Sequence, residues 1–169
     1  MGLALWGCSS AGHPSRAIWT AGPESREVDN RWFNARVEPR KGASAFYSFF
    51  LLTITNKSDS DLVVDWNDSR YLFNGSPRGM LVFEGIDPQQ VKNATVPPET
   101  IAPGAVFSRV VMPLERIAWR PLKENTTDRR GITPGMLPAG ENGIRLVVRR
   151  DDGRMTLPLS VRIARREAP

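Results

Sequence analysis

The ten residues Phe46 to Thr55, FYSFFLLTIT, constrain this chain more than any other stretch. The run is apolar on both faces in its middle and polar at its end, which predicts a central strand covered on both sides, at least locally. It stops at Asn56-Lys57-Ser58-Asp59-Ser60-Asp61, where Asn, Asp and Ser satisfy their own backbone and so make a turn. Leu62-Val63-Val64-Asp65-Trp66 returns from that turn with Leu62, Val64 and Trp66 on one face.

Other short runs supply its neighbours. Trp32-Phe33-Asn34-Ala35-Arg36-Val37 alternates Phe, Ala and Val against Trp, Asn and Arg, a half-buried strand with one wet face. Arg70 to Phe73 and Met80 to Phe83 flank Asn74-Gly75, whose tolerance of positive φ is the strongest local hairpin signal. A Pro-rich approach, Val96 to Gly104, leads into a strand at Val106 to Met112. Ile144 to Arg149 and Met155 to Ile163 flank a second hairpin turn at Asp152-Gly153, and Pro158 puts the last strand at an edge or a bulge there. The 14 Gly and 14 Pro are scattered as punctuation rather than gathered in one tract, and no segment sustains a 3.6-residue period. The expected fold is therefore all-β: one domain, a two-sheet antiparallel β-sandwich of about 7–9 strands, with a small barrel as the alternative. Trp66 invites comparison with the core tryptophan of immunoglobulin domains, but the paired cysteines are missing, so the comparison reaches only the sandwich architecture. A long loop near 113–142 is left over. In it Leu114 to Trp119 suits a helical turn or short strand, and Ile132 to Pro138 an apolar cover for one open end.

Several function classes drop out. The net charge is +5, yet the 19 Arg and 4 Lys are dispersed along strands and turns, so no nucleic-acid footprint is expected. One cysteine, Cys8, allows no intramolecular disulfide and no zinc cluster. The one imidazole, His13, follows Cys8 in a small, polar tether that cannot hold a thiolate–imidazole pair rigidly, and no Gly-x-Ser-x-Gly elbow exists. Asp65, Asp68, Glu84 and Asp87 offer oxygen to a hard cation, but the spaced acids of a calcium loop are absent and turn chemistry explains them. No catalytic residue, cofactor or metal is expected. The candidate binding surface is Trp32, Trp119, Arg129 and Arg130, the arginines lying in the long loop.

Leu5-Trp6-Gly7-Cys8-Ser9-Ser10 resembles a bacterial lipobox, in which an apolar residue stands three before, and a small residue just before, the cysteine that becomes the lipidated N-terminus. Only Met1 to Leu5 precede the box, so residues 1–7 read as a truncated signal-peptide remnant, 8–28 as lipid anchor and tether, and 29–169 as the sandwich domain. No segment reaches the roughly 18 apolar residues that span a bilayer. Across roughly residues 46–121, the strings LTITNKSDSDLVVDWNDSRYLF, TIAPGAVFSRVVMP and IAWRPL resemble, in order, uncharacterised bacterial lipoproteins carrying a single immunoglobulin-like domain. The resemblance implies an immunoglobulin-like sandwich anchored by fatty acid at Cys8 to the cell envelope, at the outer membrane or on the periplasmic side. It implies no activity. The expected function is a non-catalytic binding or assembly module whose partner is an envelope protein or a glycan. The alternative is a periplasmic or secreted carbohydrate-binding or hydrolytic sandwich that uses Trp32 with Asp65 or Asp68.

Overall fold

The computed structural model describes residues 17–83, 86, 91, 96–119 and 132–167, with 118, 119, 132 and 133 described through their backbone only. The first half runs β1 (Ala17–Gly22), β2 (Arg26–Asp29), β3 (Phe33–Lys41), β4 (Tyr47–Asn56), β5 (Leu62–Val64), β6 (Arg70–Phe73), β7 (Ser76–Pro77) and β8 (Leu81–Phe83). The second half runs β9 (Glu99–Ile101), β10 (Val106–Pro113), a 3-10 turn at Leu114–Arg116, β11 (Ile117–Trp119), β12 (Ile132–Pro134), β13 (Gly140–Arg150) and β14 (Gly153–Glu167). One sheet has the order β1-β14-β13-β5-β9, with β6 also on β13 and β7 on β6; the other is β2-β3-β4-β10-β8. β11 and β12 form a separate two-stranded ribbon. The two antiparallel sheets pack face to face, so the all-β sandwich read from strand spacing is the fold.

Alternation decides what lies between the sheets. In β4, Phe50, Leu52 and Ile54 point inward and are fully buried, while Tyr47, Phe49 and Leu51 on the other face are half-buried. β4 is central, with β3 on one side and β10 on the other, but its outer face is only partly covered. Phe33, Ala35 and Val37 of β3 meet the same core, which Ile144, Leu146 and Val148 of β13 and Leu159, Val161 and Ile163 of β14 complete from the facing sheet. Each large apolar side chain buried there stabilises the fold by about 1.5–3 kcal/mol.

β5 and β6 share one edge of β13, and the chain leaves that edge between them at Asp65 to Ser69. The gap in the ladder is closed by a side chain. Val147 N–H donates to Ser69 Oγ at 3.0 Å, Ser69 Oγ donates to the Asp65 carbonyl at 2.7 Å, and Asp65 N–H donates to Val147 O at 3.0 Å. This excursion drops Trp66 fully into the core, 5.3 Å from Phe83 and 6.4 Å from Phe107 between ring centres. Its indole N–H donates to Glu99 at 3.0 Å, and Glu99 is paired in turn with Arg109. The buried polar ends of Tyr71 and Asn142 are matched to each other and to backbone. Tyr71 donates to Asn142 Oδ1 at 2.5 Å, and Asn142 donates to the carbonyls of Pro138 and Gly140.

Several expectations shift. Strands occupy part of the segment 8–28 read as a tether: residues 17–22 pair along β14 and bury Trp19, and Arg26–Asp29 pair with β3. β1 buries only Trp19 and β2 half-buries only Val28, which leaves little alternation to read. The Asn74-Gly75 turn forms with φ of 49° and 75°, and Arg78 and Gly79 still bond Tyr71. The chain then crosses to the other sheet, where β8 pairs β10 instead of completing the hairpin with β6. Pro158 lies opposite Arg145 on a part of β14 whose other edge β1 does not reach, an edge position as its missing donor requires. The long connection after Pro113 holds both the helical turn and a strand, and Leu137 plugs the core with its N–H on the Tyr47 carbonyl at 2.8 Å. Strands outnumber the 7–9 expected because eight of them are only two to four residues long.

Candidate binding groove at Trp32

Three turns converge at one end of the sandwich. The first is the β2–β3 turn, where Asn30 Oδ1 accepts from the backbone N–H groups of Trp32 (2.8 Å) and Phe33 (3.0 Å). The second is the β4–β5 turn, tied to the first because Lys57 N–H donates to the Trp32 carbonyl at 2.8 Å. Asn56 braces it from inside: Nδ2 donates to the carbonyls of Ser60 and Ile101, and Oδ1 accepts from Ser58 N–H and Ser58 Oγ. The third is the β13–β14 hairpin, where Asp151 takes a φ of 48° ahead of Gly153.

Between these turns lies an open groove of about 750 Å³, lined by Arg31 and Trp32, by Lys57 to Asp59, and by Arg150, Asp151 and Gly153. Trp32 is half-buried, and its ring carries two cations: the Arg31 guanidinium 4.9 Å and the Arg150 guanidinium 5.5 Å from its centre. Such contacts fix an arginine over the ring by charge–quadrupole attraction. Lys57 is paired with Asp29 at 2.8 Å, and Arg150 with Asp59 at 2.7 Å. The hydrogen bond from Lys57, then that from Asn34, holds the Asp29 carboxyl below its ordinary range. Arg150 Nε is buried without a hydrogen-bond partner among the described residues, the Asp151 carboxylate standing 3.5 Å away.

No protein-family model, curated protein or solved structure matches this chain. What the groove can do follows from its own lining. The cations donate to oxyanions, and Asp59 and Asp151 accept from hydroxyls. Ser58 Oγ spends its proton on Asn56 and the Ser60 carbonyl, so it is a structural hydroxyl of the turn.

Of the residues singled out in the sequence, Trp32 lies at the centre of this groove. Trp119 is placed in β11 by its backbone, its side chain lies outside the described residues, and so do Cys8, Arg129, Arg130, Glu84 and Asp87. Asp65 and Asp68 do not line the groove: Asp65 is paired with Arg149, and Asp68 with Arg154 at 2.8 Å. Among the described residues no group of three His, Cys, Asp or Glu is placed to hold a metal ion. Arg31, Lys57, Asp59, Arg150 and Asp151 were missed as site residues. Arg31 adjoins Trp32, Arg150 adjoins Asp151, and Lys57 and Asp59 stand two apart in a polar turn, local patterns common to solvated turns.

Proposed function

We propose that this chain is a non-catalytic binding module of the bacterial envelope, anchored by acyl chains on Cys8 and offering the Trp32 groove to its partner. One observation carries the reading. β14 begins at Gly153, which lines the groove, and ends at Glu167, which pairs with Ala17. At about 3.3 Å per residue its fifteen residues separate those ends by about 45 Å. A tether that joins the domain at Ala17 therefore leaves the groove at the end farthest from the membrane, where a partner meets it first. The lipobox-like LWGC and the ordered TNKS, DW and TIAPG motifs support the same reading. The engagement of Asp65 and Asp68 by arginines favours it over a hydrolytic use of those acids with Trp32.

Intact mass of protein extracted from membranes after expression from the full reading frame tests the anchor. The expected species begins at an acylated Cys8, and Cys8→Ser moves the protein to the soluble fraction. An unmodified Cys8 in membrane-extracted protein overturns the proposal.

A further inference from the structure

We infer that the Trp32 groove receives an acidic saccharide, whose carboxylate or phosphate sits among Arg31, Lys57 and Arg150 and whose hydroxyls reach Asp59 and Asp151. The inference rests on the binding-module reading and names its ligand. Three cations line one groove, and Arg31 makes no ion pair among the described residues, being held only over the indole. Arg150 Nε has no hydrogen-bond partner among the described residues, only the Asp151 carboxylate 3.5 Å away. The carboxylates opposing them are loosely held: the side chains of Asp59 and Asp151 are 87% and 69% exposed. Exposed pairs of this kind contribute little, so a ligand oxyanion can take their place. Freed of the arginine, each carboxylate is an acceptor for a sugar hydroxyl.

The same lining disfavours other ligands. A neutral sugar needs an open aromatic face, and the Trp32 ring already carries two guanidinium groups. Two exposed carboxylates at the rim repel a polyanionic backbone, so the saccharide that fits carries a single acidic group. Among the described residues the exposed large apolar ones, Ile18, Val106 and Met136, lie outside the groove, so it offers lipid no cluster of exposed apolar side chains. The groove's backbone is locked before any ligand arrives.

Calorimetric titration of the full chain with galacturonate, its neutral methyl ester, a sugar phosphate and phosphatidylglycerol vesicles tests the assignment. At least one of the two acidic saccharides binds, the complex weakens with added salt, and the ester binds at least tenfold more weakly. Arg31→Gln and Lys57→Gln each weaken it roughly tenfold, as the loss of one charge-assisted hydrogen bond predicts, with melting temperature unchanged. Equal binding of the ester overturns the acidic class but keeps the groove as a glycan site. Binding that ignores both substitutions, binding of vesicles alone, or no binding of either acid overturns the assignment. The acyl anchor is read separately from the mass of Cys8, so its failure is not confused with any of these.

Discussion

Asn56 is the residue on which the groove's geometry depends most directly, and replacing it by alanine has a magnitude that can be worked out. Its side chain is buried and uses all four of its hydrogen-bonding positions: donation to Ser60 O at 2.8 Å and Ile101 O at 2.9 Å, acceptance from Ser58 N–H at 2.9 Å and Ser58 Oγ at 2.7 Å. Its backbone is spoken for as well, by Ala105 O and Gly104 N–H. The β4–β5 turn and the Thr100-Ile101-Ala102-Pro103-Gly104 turn are therefore stitched together through one residue. In Asn56→Ala the Ile101 carbonyl, buried at this contact, is left without that partner, which costs about 1–3 kcal/mol. The other three bonds are half-buried and regain water, so each costs about 0.5 kcal/mol net.

The total is about 3 kcal/mol, which in a chain of this size lowers the melting temperature by about 6–12 °C. Urea unfolding followed by tryptophan fluorescence measures it, with an unchanged slope expected because the surface exposed on unfolding is the same. Asn56→Asp separates the donors from the acceptors. The aspartate keeps the bonds from Ser58 but turns a carboxylate toward two carbonyl oxygens, which raises its pKa in the folded state above the unfolded value of about 3.9. Stability relative to the parent is then best below about pH 4 and falls as pH rises through the folded pKa. A loss under about 1 kcal/mol for Asn56→Ala, or an Asn56→Asp penalty independent of pH, refutes the reasoning.

Three further outcomes follow from the same structure. Burial pushes the Tyr71 hydroxyl up to about 12 from 10.0, so stability is intact below pH 10 and declines as pH rises toward 12. Tyr71→Phe costs about 1–2 kcal/mol at pH 7 by leaving Asn142 Oδ1 unpaired, and alkaline urea titrations show that the variant has lost that decline. Gly143→Ala aims a methyl group at the Leu159 carbonyl oxygen and Ser160 of the paired strand, a clash of the new side chain with backbone that cannot swing away, costing about 3 kcal/mol. Gly22→Ala meets nothing within 4 Å and serves as its neutral control in thermal melts. Ser69→Ala removes the hydroxyl that bridges Val147 N–H and the Asp65 carbonyl, both at buried contacts, and lowers urea stability by about 2 kcal/mol.

Residues that report their burial through period were legible. FYSFFLLTIT alternates between fully and half-buried positions as β4, and Leu62, Val64 and Trp66 are all buried on the face assigned to them. What escaped is whatever depends on a side chain replacing backbone, or on two distant segments meeting. Ser69 substitutes for a strand carbonyl in front of Val147, so Leu62–Val64 and Arg70–Phe73 become two partners of one strand, an arrangement no hydropathy pattern announces. Trp32 was placed on the wet face by its alternation with Phe33, but alternation cannot say which neighbours that face acquires. Arg31, Lys57 and Arg150 reach it because β3 pairs with β4 and because the β13–β14 hairpin turns at the same end of the sandwich. Polar turn residues carry no spatial address until the strands on either side of them are paired. A groove assembled from three turns is therefore fixed by topology, and its chemistry becomes readable only once the register is known.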